Sequence, residues 1–332
     1  MQHISFPHHP LPVSSTCLGT MMFGDKCDYS LSEAIVKKSL DSGINFFDTA
    51  EMYSNGICEE YLGKALQGYP RENVFVGTKV VKGIDAKNIL NSIDESLARL
   101  RMDYVDLYMV HWPVLGMNLS EMMQALNTVV QSGKTKLIGC ANFPAYLLAS
   151  ANQIATENGW KKFTCNQVAY NLIERGIEVE ILPQALLENI AITAYRPLAV
   201  GLLTGKFRPG KGMDEKTRGA SDSRVITWLS QHGRSIERFL DFAEAKGVHP
   251  AQLATAWVAH SPAVTAPIVG VSSLNQLDTL IAGTEVVLDE KEYVAITDMF
   301  DTEVKEEGLQ LFPGLKYNFP RLRRSFGIAT KS

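Results

Sequence analysis

Six polar side chains follow one another through the sequence, each at the end of a short apolar segment. They are Asp48, Lys79, His111, Asn142, Gln167 and Tyr195. Any one of them has a purely structural explanation, such as a helix cap or a satisfied core histidine. Six in register are harder to explain in that way, because the carboxyl ends of parallel strands meet at one face of a barrel. The pattern therefore predicts one polar site assembled from separate parts of the chain.

A tyrosine close to this site could supply a proton. Asp48 and Lys79 end neighbouring segments, and a charged pair in a half-buried site is costly, which favours a functional role. Tyr53 lies five residues after Asp48, on a loop that can return over the site. An ammonium close to a phenol favours the phenolate and lowers the phenol pKa. A phenol tuned in this way can donate a proton to an oxygen on which negative charge develops, as carbonyl reduction requires.

The elements that must position these residues alternate between two kinds. Short apolar runs, typical of buried strands, cover residues 16–19, 45–48, 74–79, 105–111, 137–141, 165–168, 192–195 and 267–270. Segments with helical periodicity include residues 31–42, 86–100, 119–132, 146–158, 183–189, 274–283 and 289–301. Strands that alternate with helices predict a parallel sheet covered by helices.

Closure of this sheet into a barrel is favoured over an open sheet. The strands are short and evenly spaced, and no G-x-G-x-x-G turn follows the first of them. We therefore predict an α/β protein with a (β/α)8 TIM barrel, an N-terminal hairpin and a long C-terminal loop, in a single domain that spans residues 1–332.

Local signals refine parts of this prediction. Ser32 indicates the start of the first helix, and Ser42-Gly43 predicts its end on a left-handed glycine. Residues 205–235 are polar and too long for an ordinary connection, which predicts a functional flap or an excursion with short helices. The aromatic residues of the tail, 305–332, predict a segment that packs over the barrel, either beside the substrate site or as a structural belt.

The composition limits the class of partner. The chain has 332 residues and a formal net charge of -4, so it lacks the basic field that nucleic-acid binding requires. No apolar stretch approaches the roughly 18 residues of a membrane span. The five cysteines include no C-x-x-C pair, which is typical of free thiols in a reducing compartment. We expect a cytoplasmic protein with a small-molecule partner and without nucleic acid, membrane or metal.

Five stretches of the sequence carry a family resemblance. They are Gly19-Thr-Met-Met-Phe-Gly24, Asn45-Phe-Phe-Asp48-Thr-Ala-Glu-Met-Tyr53-Ser-Asn-Gly56, Gly77-Thr-Lys79, Tyr108-Met-Val-His111-Trp-Pro113 and Tyr195-Arg-Pro-Leu-Ala-Val-Gly-Leu-Leu-Thr-Gly-Lys206. On these stretches the chain resembles the aldo-keto reductase superfamily over nearly its whole length. The resemblance implies a catalytic tetrad of Asp48, Tyr53, Lys79 and His111. Tyr53 would be the general acid in reduction, Lys79 would tune it, Asp48 would hold Lys79, and His111 would orient the carbonyl or assist proton delivery.

The same resemblance implies a nicotinamide dinucleotide cofactor, NADPH by family habit, with NADH left open. Asn142 and Gln167 would bind the carboxamide, and Tyr195 would stack on the nicotinamide ring. The other implied contacts are Gly19, Thr20, Arg196, Pro197, Leu198, Gly201, Leu203, Lys206, Gly270, Ser272 and Gln276. Among them, the backbone of residues 197–203 together with Lys206 would hold the pyrophosphate.

Three positions depart from the family pattern. Ala141 stands where a serine usually helps to hold the carboxamide, and Arg196 stands where a serine is more common. Arg196 could add positive charge near the phosphates. Leu280 replaces an asparagine that contacts adenine, and no lysine or arginine is available there for a 2′-phosphate. The last departure leaves the choice between NADPH and NADH open.

The resemblance places Met22 and Trp112 beside the substrate, a small carbonyl or alcohol whose identity does not follow from the sequence. Two other functions compete with an NAD(P)H-dependent oxidoreductase. Some relatives in this superfamily are regulatory subunits of potassium channels that keep the fold and the cofactor site. A metal-assisted TIM-barrel hydrolase would need several ligands at strand ends, and only Asp48 and His111 qualify. The complete tetrad favours the oxidoreductase.

Overall fold

A computed structural model describes residues 1–208 and 222–306 of the chain. Within these residues the strands are β1 (His3–Ile4), β2 (Val13–Ser14), β3 (Cys17–Gly19), β4 (Phe46–Asp48), β5 (Phe75–Val80), β6 (Val105–Val110), β7 (Thr135–Ala141), β8 (Phe163–Ala169), β9 (Ala191–Tyr195) and β10 (Val264–Gly270). β1 and β2 form an antiparallel hairpin, and the other eight close into a parallel barrel in the order β10-β3-β4-β5-β6-β7-β8-β9. The predicted TIM barrel and N-terminal hairpin are confirmed.

Helices cover the outside of the barrel. They are α1 (Tyr29–Asp41), α2 (Ile57–Ala65), α3 (Ala86–Leu100), α4 (Leu119–Gln131), α5 (Ala145–Glu157), α6 (Ile181–Glu188), α7 (Ser223–Lys246), α8 (Pro250–His260), α9 (Leu274–Gly283) and α10 (Glu290–Glu306). The apolar faces of these helices pack on the outward-facing residues of the strands. This layer forms the larger of two apolar clusters, and the smaller one fills the barrel interior.

The first helix begins at Tyr29, three residues before Ser32, which the sequence indicated as its start. Asp28 caps α1, because its carboxylate accepts a hydrogen bond from the backbone N–H of Leu31 at 2.9 Å. Ser32 lies inside the helix, where its hydroxyl donates to the Asp28 carbonyl at 2.7 Å. The predicted end is confirmed, since Gly43 has a φ of 84°.

The structure describes the segment predicted as an excursion, residues 205–235, only in part. Residues 209–221 lie outside the described residues, as does the tail from residue 307. From Ser223 the chain forms α7, which is interrupted by a kink at His232 with φ -122° and ψ 16°, so the described part of the segment begins with a short helix that ends at this kink. Two other helices, α2 and α8, were not predicted; α8 begins with Pro250 in its first turn and His249 as its cap.

Two further features bear on the site. Each of the five cysteines is a buried free thiol, as predicted. Within the described ranges, no helix is both long enough and apolar enough to cross a membrane. The same part of the chain contains no group of three or more His, Cys, Asp or Glu side chains that could hold a metal ion.

Candidate active site

Asp48 and Lys79 meet inside the barrel because they occupy inward positions of the neighbouring strands β4 and β5. Side chains alternate between the two faces of a strand, and Phe46 and Phe75, which precede them at even spacing, belong to the interior apolar cluster. The Lys79 Nζ donates to Asp48 Oδ1 at 2.7 Å, to Asp48 Oδ2 at 2.8 Å and to the Thr49 carbonyl at 2.7 Å. The predicted contact between the two charged groups is confirmed.

The ammonium of Lys79 keeps its charge although its side chain is 0% exposed. Burial acts to lower the pKa of Lys79, but the Asp48 carboxylate and the Tyr53 phenol together raise it by more, so the pKa lies above its usual value. Such a buried ion pair is stable only when its partners compensate for the loss of water. The site therefore holds a charged ammonium, balanced by the Asp48 carboxylate, in surroundings that screen both charges poorly.

A tight turn brings Tyr53 back over this pair. Ser54 and Asn55 directly follow it with positive φ values of 46° and 54°, in the left-handed region that non-glycine residues rarely adopt. The turn places the Tyr53 ring so that the Lys79 Nζ lies 5.1 Å from the ring centre. Tyr53 and Lys79, predicted from distant parts of the sequence, are therefore neighbours.

The net pKa shift of Tyr53 is opposite to the predicted one. Burial raises the pKa of Tyr53, and the Lys79 ammonium lowers it only in part, so the pKa lies above its usual value. The prediction weighed the ammonium but not the removal of the phenol from water, which disfavours the phenolate. The phenol is therefore protonated at neutral pH, which is the state that a proton donor needs.

His111 stands at the end of β6 as a neutral imidazole. Burial, aided by the nearby Lys79 charge, lowers the pKa of His111 to about 3. The centre of its ring is 5.8 Å from that of Tyr53. Its Nδ1 is buried and has no hydrogen-bond partner in residues 1–208 and 222–306. An unsatisfied polar atom beside a phenol and an ammonium is unusual in a protein core and marks this position for interaction with a ligand.

A chain of hydrogen bonds joins the polar residues at the next three strand ends. The side-chain Nε2 of Gln167 donates to Asp48 Oδ1 at 2.8 Å. The backbone carbonyl of Gln167 accepts from the backbone N–H of Asn142 at 2.9 Å. The Asn142 Nδ2 donates to the His111 carbonyl at 3.1 Å, and the Tyr195 hydroxyl donates to Asn142 Oδ1 at 2.7 Å. Two amides and an aromatic ring therefore lie together beside the ion pair. This set of groups fits an aromatic ring that carries a carboxamide.

The backbone after β9 is sharply bent. Positive φ values occur at Arg196, Ala199, Val200, Gly201 and Gly205. Strained conformations of this kind collect at functional sites, and successive turns of opposite hand can form an anion-binding concavity from backbone N–H groups. The bent segment also contains the remaining contacts predicted for this loop: Pro197, Leu198, Leu203 and the exposed Lys206.

Arg196 already has partners at this rim. Its Nη1 lies 3.3 Å from Glu174 Oε1, and its Nη2 donates to the Tyr195 hydroxyl at 3.2 Å. The guanidinium also lies 4.8 Å from the centre of the Tyr195 ring. The predicted positive charge is therefore next to the aromatic ring, but Glu174 balances it.

The other predicted cofactor contacts lie at the carboxyl ends of β3 and β10 and just beyond them. Gly19 and Gly270 end the two strands, Thr20 and Ser272 lie in the loops that follow, and Gln276 lies in the first turn of α9. Gly19 and Gly270 are paired in register across these two strands. A Cβ at Gly19 would come within 2.9 Å of a side-chain methyl, so the two strands need a glycine for their close approach. The Ser272 N–H and hydroxyl donate to Gln276 Oε1 at 2.8 Å and 3.2 Å, next to the N-terminus of α9. Helix N-termini favour anions such as phosphate.

The two predicted substrate contacts are placed on separate loops at the same rim. Trp112 is 51% exposed and is stacked on His111, with ring centres 6.2 Å apart and an angle of 12° between the planes. Met22 is half-buried in the loop after β3. Both loops follow the carboxyl ends of strands, where TIM-barrel enzymes bind their substrates.

Two buried glutamates next to Tyr53 were not predicted. Glu51 is 5% exposed and Glu59 is 0% exposed. The sequence offered a hint for Glu51 only. This charged residue stands between the apolar residues Ala50 and Met52, in the loop that carries Tyr53. Glu51 contacts the backbone just beyond β5, and Glu59 contacts β5 and α3. Local sequence patterns do not reveal such long-range contacts.

Comparisons with known proteins agree with this geometry. The model of the Aldo/keto reductase family matches residues 16–301. An uncharacterized oxidoreductase of Bacillus subtilis, YrpG, is 33% identical over 87% of this chain and 93% of its own. Norsolorinic acid reductase B of Aspergillus parasiticus is 32% identical over 89% and 83%. A probable voltage-gated potassium channel subunit beta of Oryza sativa is 32% identical over 86% and 92%.

Proposed function

Because the chain belongs to the aldo/keto reductase family, we propose that it is an NADPH-dependent oxidoreductase that reduces an aldehyde or ketone to an alcohol, or catalyses the reverse reaction. Tyr53 is the general acid of the reduction. The observation that carries this proposal is the buried ion pair of Asp48 and Lys79 beside the Tyr53 ring. Such a pair is weak evidence for stability but a frequent feature of sites that move protons.

Each of the four side chains has a distinct task in the reduction. A bound dihydronicotinamide supplies the hydride. Tyr53 donates its proton to the carbonyl oxygen as negative charge grows there. Lys79 stabilises the phenolate that remains, and Asp48 keeps Lys79 charged and in place. His111, whose pKa is about 3, stays neutral and can donate a hydrogen bond to the carbonyl without acting as an acid.

The groups described above support a place for the cofactor along the same rim. Asn142 and Gln167 would bind the carboxamide, and Tyr195 would stack on the ring. The bent backbone of residues 196–205 and the N-terminus of α9 would hold the phosphates. Trp112 and Met22 would border the carbonyl substrate and would favour one with apolar groups.

The replacement Tyr53→Phe tests this assignment. It removes the proton donor and keeps the ring, so we expect the rate of 4-nitrobenzaldehyde reduction, followed at 340 nm, to fall about 10²- to 10⁴-fold. NADPH binding, followed by fluorescence quenching, should remain nearly unchanged because the phenol lies beside the carbonyl and not the phosphates. Tyr108→Phe is a matched control, since that buried phenol donates to the Ile89 carbonyl outside the site. Full activity in Tyr53→Phe would remove the residue from its role.

The assignment of NADPH is tested by comparing kcat/KM with NADPH and NADH. Leu280, which replaces the expected adenine contact, is buried in α9 and offers no polar group to either cofactor. Lys206 and Arg196 lie on the segment that would hold the pyrophosphate, which NADPH and NADH share, so the assignment of NADPH rests on the family resemblance alone. A higher kcat/KM with NADH would reverse the assignment.

A second candidate function is that of a cofactor-binding regulatory subunit with vestigial reductase activity. The similarity to the rice protein named as a probable potassium channel subunit favours it. The same fold and the same cofactor site serve both functions, so turnover decides between them. If the chain binds NADPH tightly but reduces no member of a broad panel of aldehydes and ketones, the regulatory role is the better assignment.

A further inference from the structure

We propose that two buried glutamates, Glu51 and Glu59, are positioning residues that hold Tyr53 against Lys79. They attach the chain on both sides of Tyr53 to β5, the strand that carries Lys79, and to the two residues that follow this strand. The inference rests on the proposed function, because it assigns these residues to the geometry of the proton donor.

The first anchor lies two residues before Tyr53. The Glu51 Oε1 accepts hydrogen bonds from the backbone N–H of Val81 at 2.5 Å and of Lys82 at 2.9 Å. The Glu51 N–H also donates to the Lys79 carbonyl at 3.4 Å. The loop that leads to Tyr53 is therefore attached to the chain just beyond Lys79.

The second anchor lies six residues after Tyr53, in α2. The Glu59 Oε1 accepts from the Thr78 hydroxyl at 2.5 Å, and Glu59 Oε2 accepts from Arg99 Nε at 2.6 Å. Thr78 directly precedes Lys79 in β5. The helix that follows the Tyr53 turn is therefore attached to the same strand, on the other side of Lys79.

The two anchors enclose a strained turn. Ser54 and Asn55 hold left-handed conformations between the two glutamates, and such conformations persist only when the surrounding structure determines them. Without the anchors the turn can relax, and the phenol then moves away from the ammonium. A displacement of about 1 Å in a reacting group can lower a rate about 100-fold.

One carboxylate oxygen of Glu51 is placed in a way that does not stabilise the fold. Its Oε2 is buried and has no hydrogen-bond partner in the described part of the chain. A buried polar atom without a partner destabilises the fold and calls for an explanation. The largest effects on the pKa of Tyr53 come from burial, from Lys79 and from Asp48. The role assigned to Glu51 is therefore one of position, which the replacements below separate from an effect of its charge.

Three replacements of Glu51 separate position from charge. Glu51→Ala removes the acceptor, and we expect kcat for 4-nitrobenzaldehyde to fall about 10- to 100-fold with KM changed less than about threefold. The alkaline limb of the kcat profile should move to higher pH, because the pKa of Tyr53 rises when the Lys79 ammonium is farther away. Glu51→Gln keeps an oxygen for both N–H groups, so its kcat should stay within about threefold of the original and its pH limb should not move.

Glu51→Asp decides the question if the alanine variant does not fold. Its shorter carboxylate cannot reach both N–H groups, so we expect a loss of about tenfold in kcat although the charge is kept. An aspartate variant with the original kcat and pH profile would overturn the proposal. A glutamine variant as impaired as the aspartate variant would overturn it too, because charge would then be the property that matters.

Thr78→Val tests the second anchor, since it removes the hydroxyl donor and leaves Glu59 paired with Arg99. Its kcat should fall about three- to tenfold with an unchanged KM, and an unaffected kcat would restrict the role to Glu51 and overturn the proposal for Glu59. Asp106→Ala is the matched control. That buried carboxylate accepts from the Val76 N–H of β5 at 2.8 Å but lies towards the other end of the strand, so its loss should lower stability and not kcat.

Hydrogen exchange gives a readout that does not need catalysis. Peptides that contain Val81 and Lys82 should exchange faster in the alanine and aspartate variants than in the original protein and the glutamine variant. Unchanged exchange would show that Glu51 does not hold this backbone. If the original protein reduced no carbonyl compound, the proposed function would fail while the exchange result would still report on the anchor.

Discussion

The two ends of the barrel are built from the same strands but by different rules. At the amino end, the loop of the β1–β2 hairpin inserts Phe6, which is 1% exposed and packs on Phe46 and Phe75. At the carboxyl end, the interior holds the Asp48–Lys79 ion pair instead. Apolar packing closes the amino end of the barrel, whereas the carboxyl end carries the polar side chains of the candidate active site.

Polar groups at the two ends differ in how completely they are satisfied. At the amino end, Asp106 accepts from the Val76 N–H and is paired with Arg71 at 2.7 Å and with His9 at 3.3 Å. At the carboxyl end, the buried atoms Thr49 Oγ1, Glu51 Oε2 and His111 Nδ1 have no hydrogen-bond partner among the described residues. Within the same described ranges, Asn166 Oδ1 in β8 and Ser261 Oγ just before β10 are buried without a partner as well, so unmet polar atoms are not confined to the carboxyl end. The comparison teaches that three of them, Thr49 Oγ1, Glu51 Oε2 and His111 Nδ1, lie on or next to the segments that carry the candidate catalytic residues.

Backbone strain follows this division only in part, since His8 in the amino-end hairpin loop is left-handed as well, with a φ of 63°. The left-handed residues Arg101 and Asn189 stand at the ends of α3 and α6, where such a conformation is an ordinary way to end a helix. At the carboxyl end, Asn142, Arg196 and Val200 adopt it in loops that carry site residues. Strain at this end has no role in ending helices, so function is the better explanation for it.

The largest effect in this comparison is expected from Lys79→Met. Loss of the ammonium should lower kcat for carbonyl reduction about 10²- to 10⁴-fold, because the phenolate of Tyr53 loses its counter-charge. It should also lower the free energy of unfolding by about 3–5 kcal/mol, since Asp48 is left buried without its partner. Kinetics at 340 nm and urea denaturation measure the two effects.

A second replacement separates these effects. In Asp48→Asn/Lys79→Met neither member of the pair is charged, so most of the lost stability should return while kcat stays low. If the double variant recovered activity, the ion pair would be structural and the distinction between the two ends would be lost.

At the amino end the opposite result is expected. Phe6→Ala removes a fully buried ring and should lower the free energy of unfolding by about 3–5 kcal/mol. Its kcat, measured well below the melting temperature, should stay within about twofold of the original, because no catalytic side chain contacts Phe6. A large fall in kcat with KM unchanged would show that the two ends are coupled through the barrel interior.

The position of the catalytic candidates was predictable, and their energetics were not. Asp48, Lys79 and His111 end consecutive strands, and alternation along a strand is enough to turn all three inwards. The bounds of α9 were also predicted from helical periodicity, and the structure shows that Ser273 caps its start. The net pKa shift of Tyr53 and the partners of Glu51 depend on burial and on backbone groups about 30 residues away. Such long-range effects leave no local pattern in a sequence.

The smallest expected effect is a dependence of stability on pH that comes from the carboxyl end. The pKa of His111 is about 3 in the folded protein, below its usual value of 6.5. Between these values the unfolded chain binds a proton that the folded chain does not, so stability falls as the pH falls. The fall is at most about 1.4 kcal/mol per pH unit, or roughly 2 kcal/mol between pH 6.5 and pH 5.

The replacement His111→Phe isolates this contribution. It removes the titrating group, so the loss of stability between pH 7 and pH 5, measured by urea denaturation, should be smaller by about 2 kcal/mol than in the original protein. Other groups that titrate in this range are common to both proteins and cancel in the difference. Equal losses in the two proteins would mean that His111 takes up a proton in the folded state. The neutral hydrogen-bond donor assigned to it in the reduction would then have to be replaced by an imidazolium.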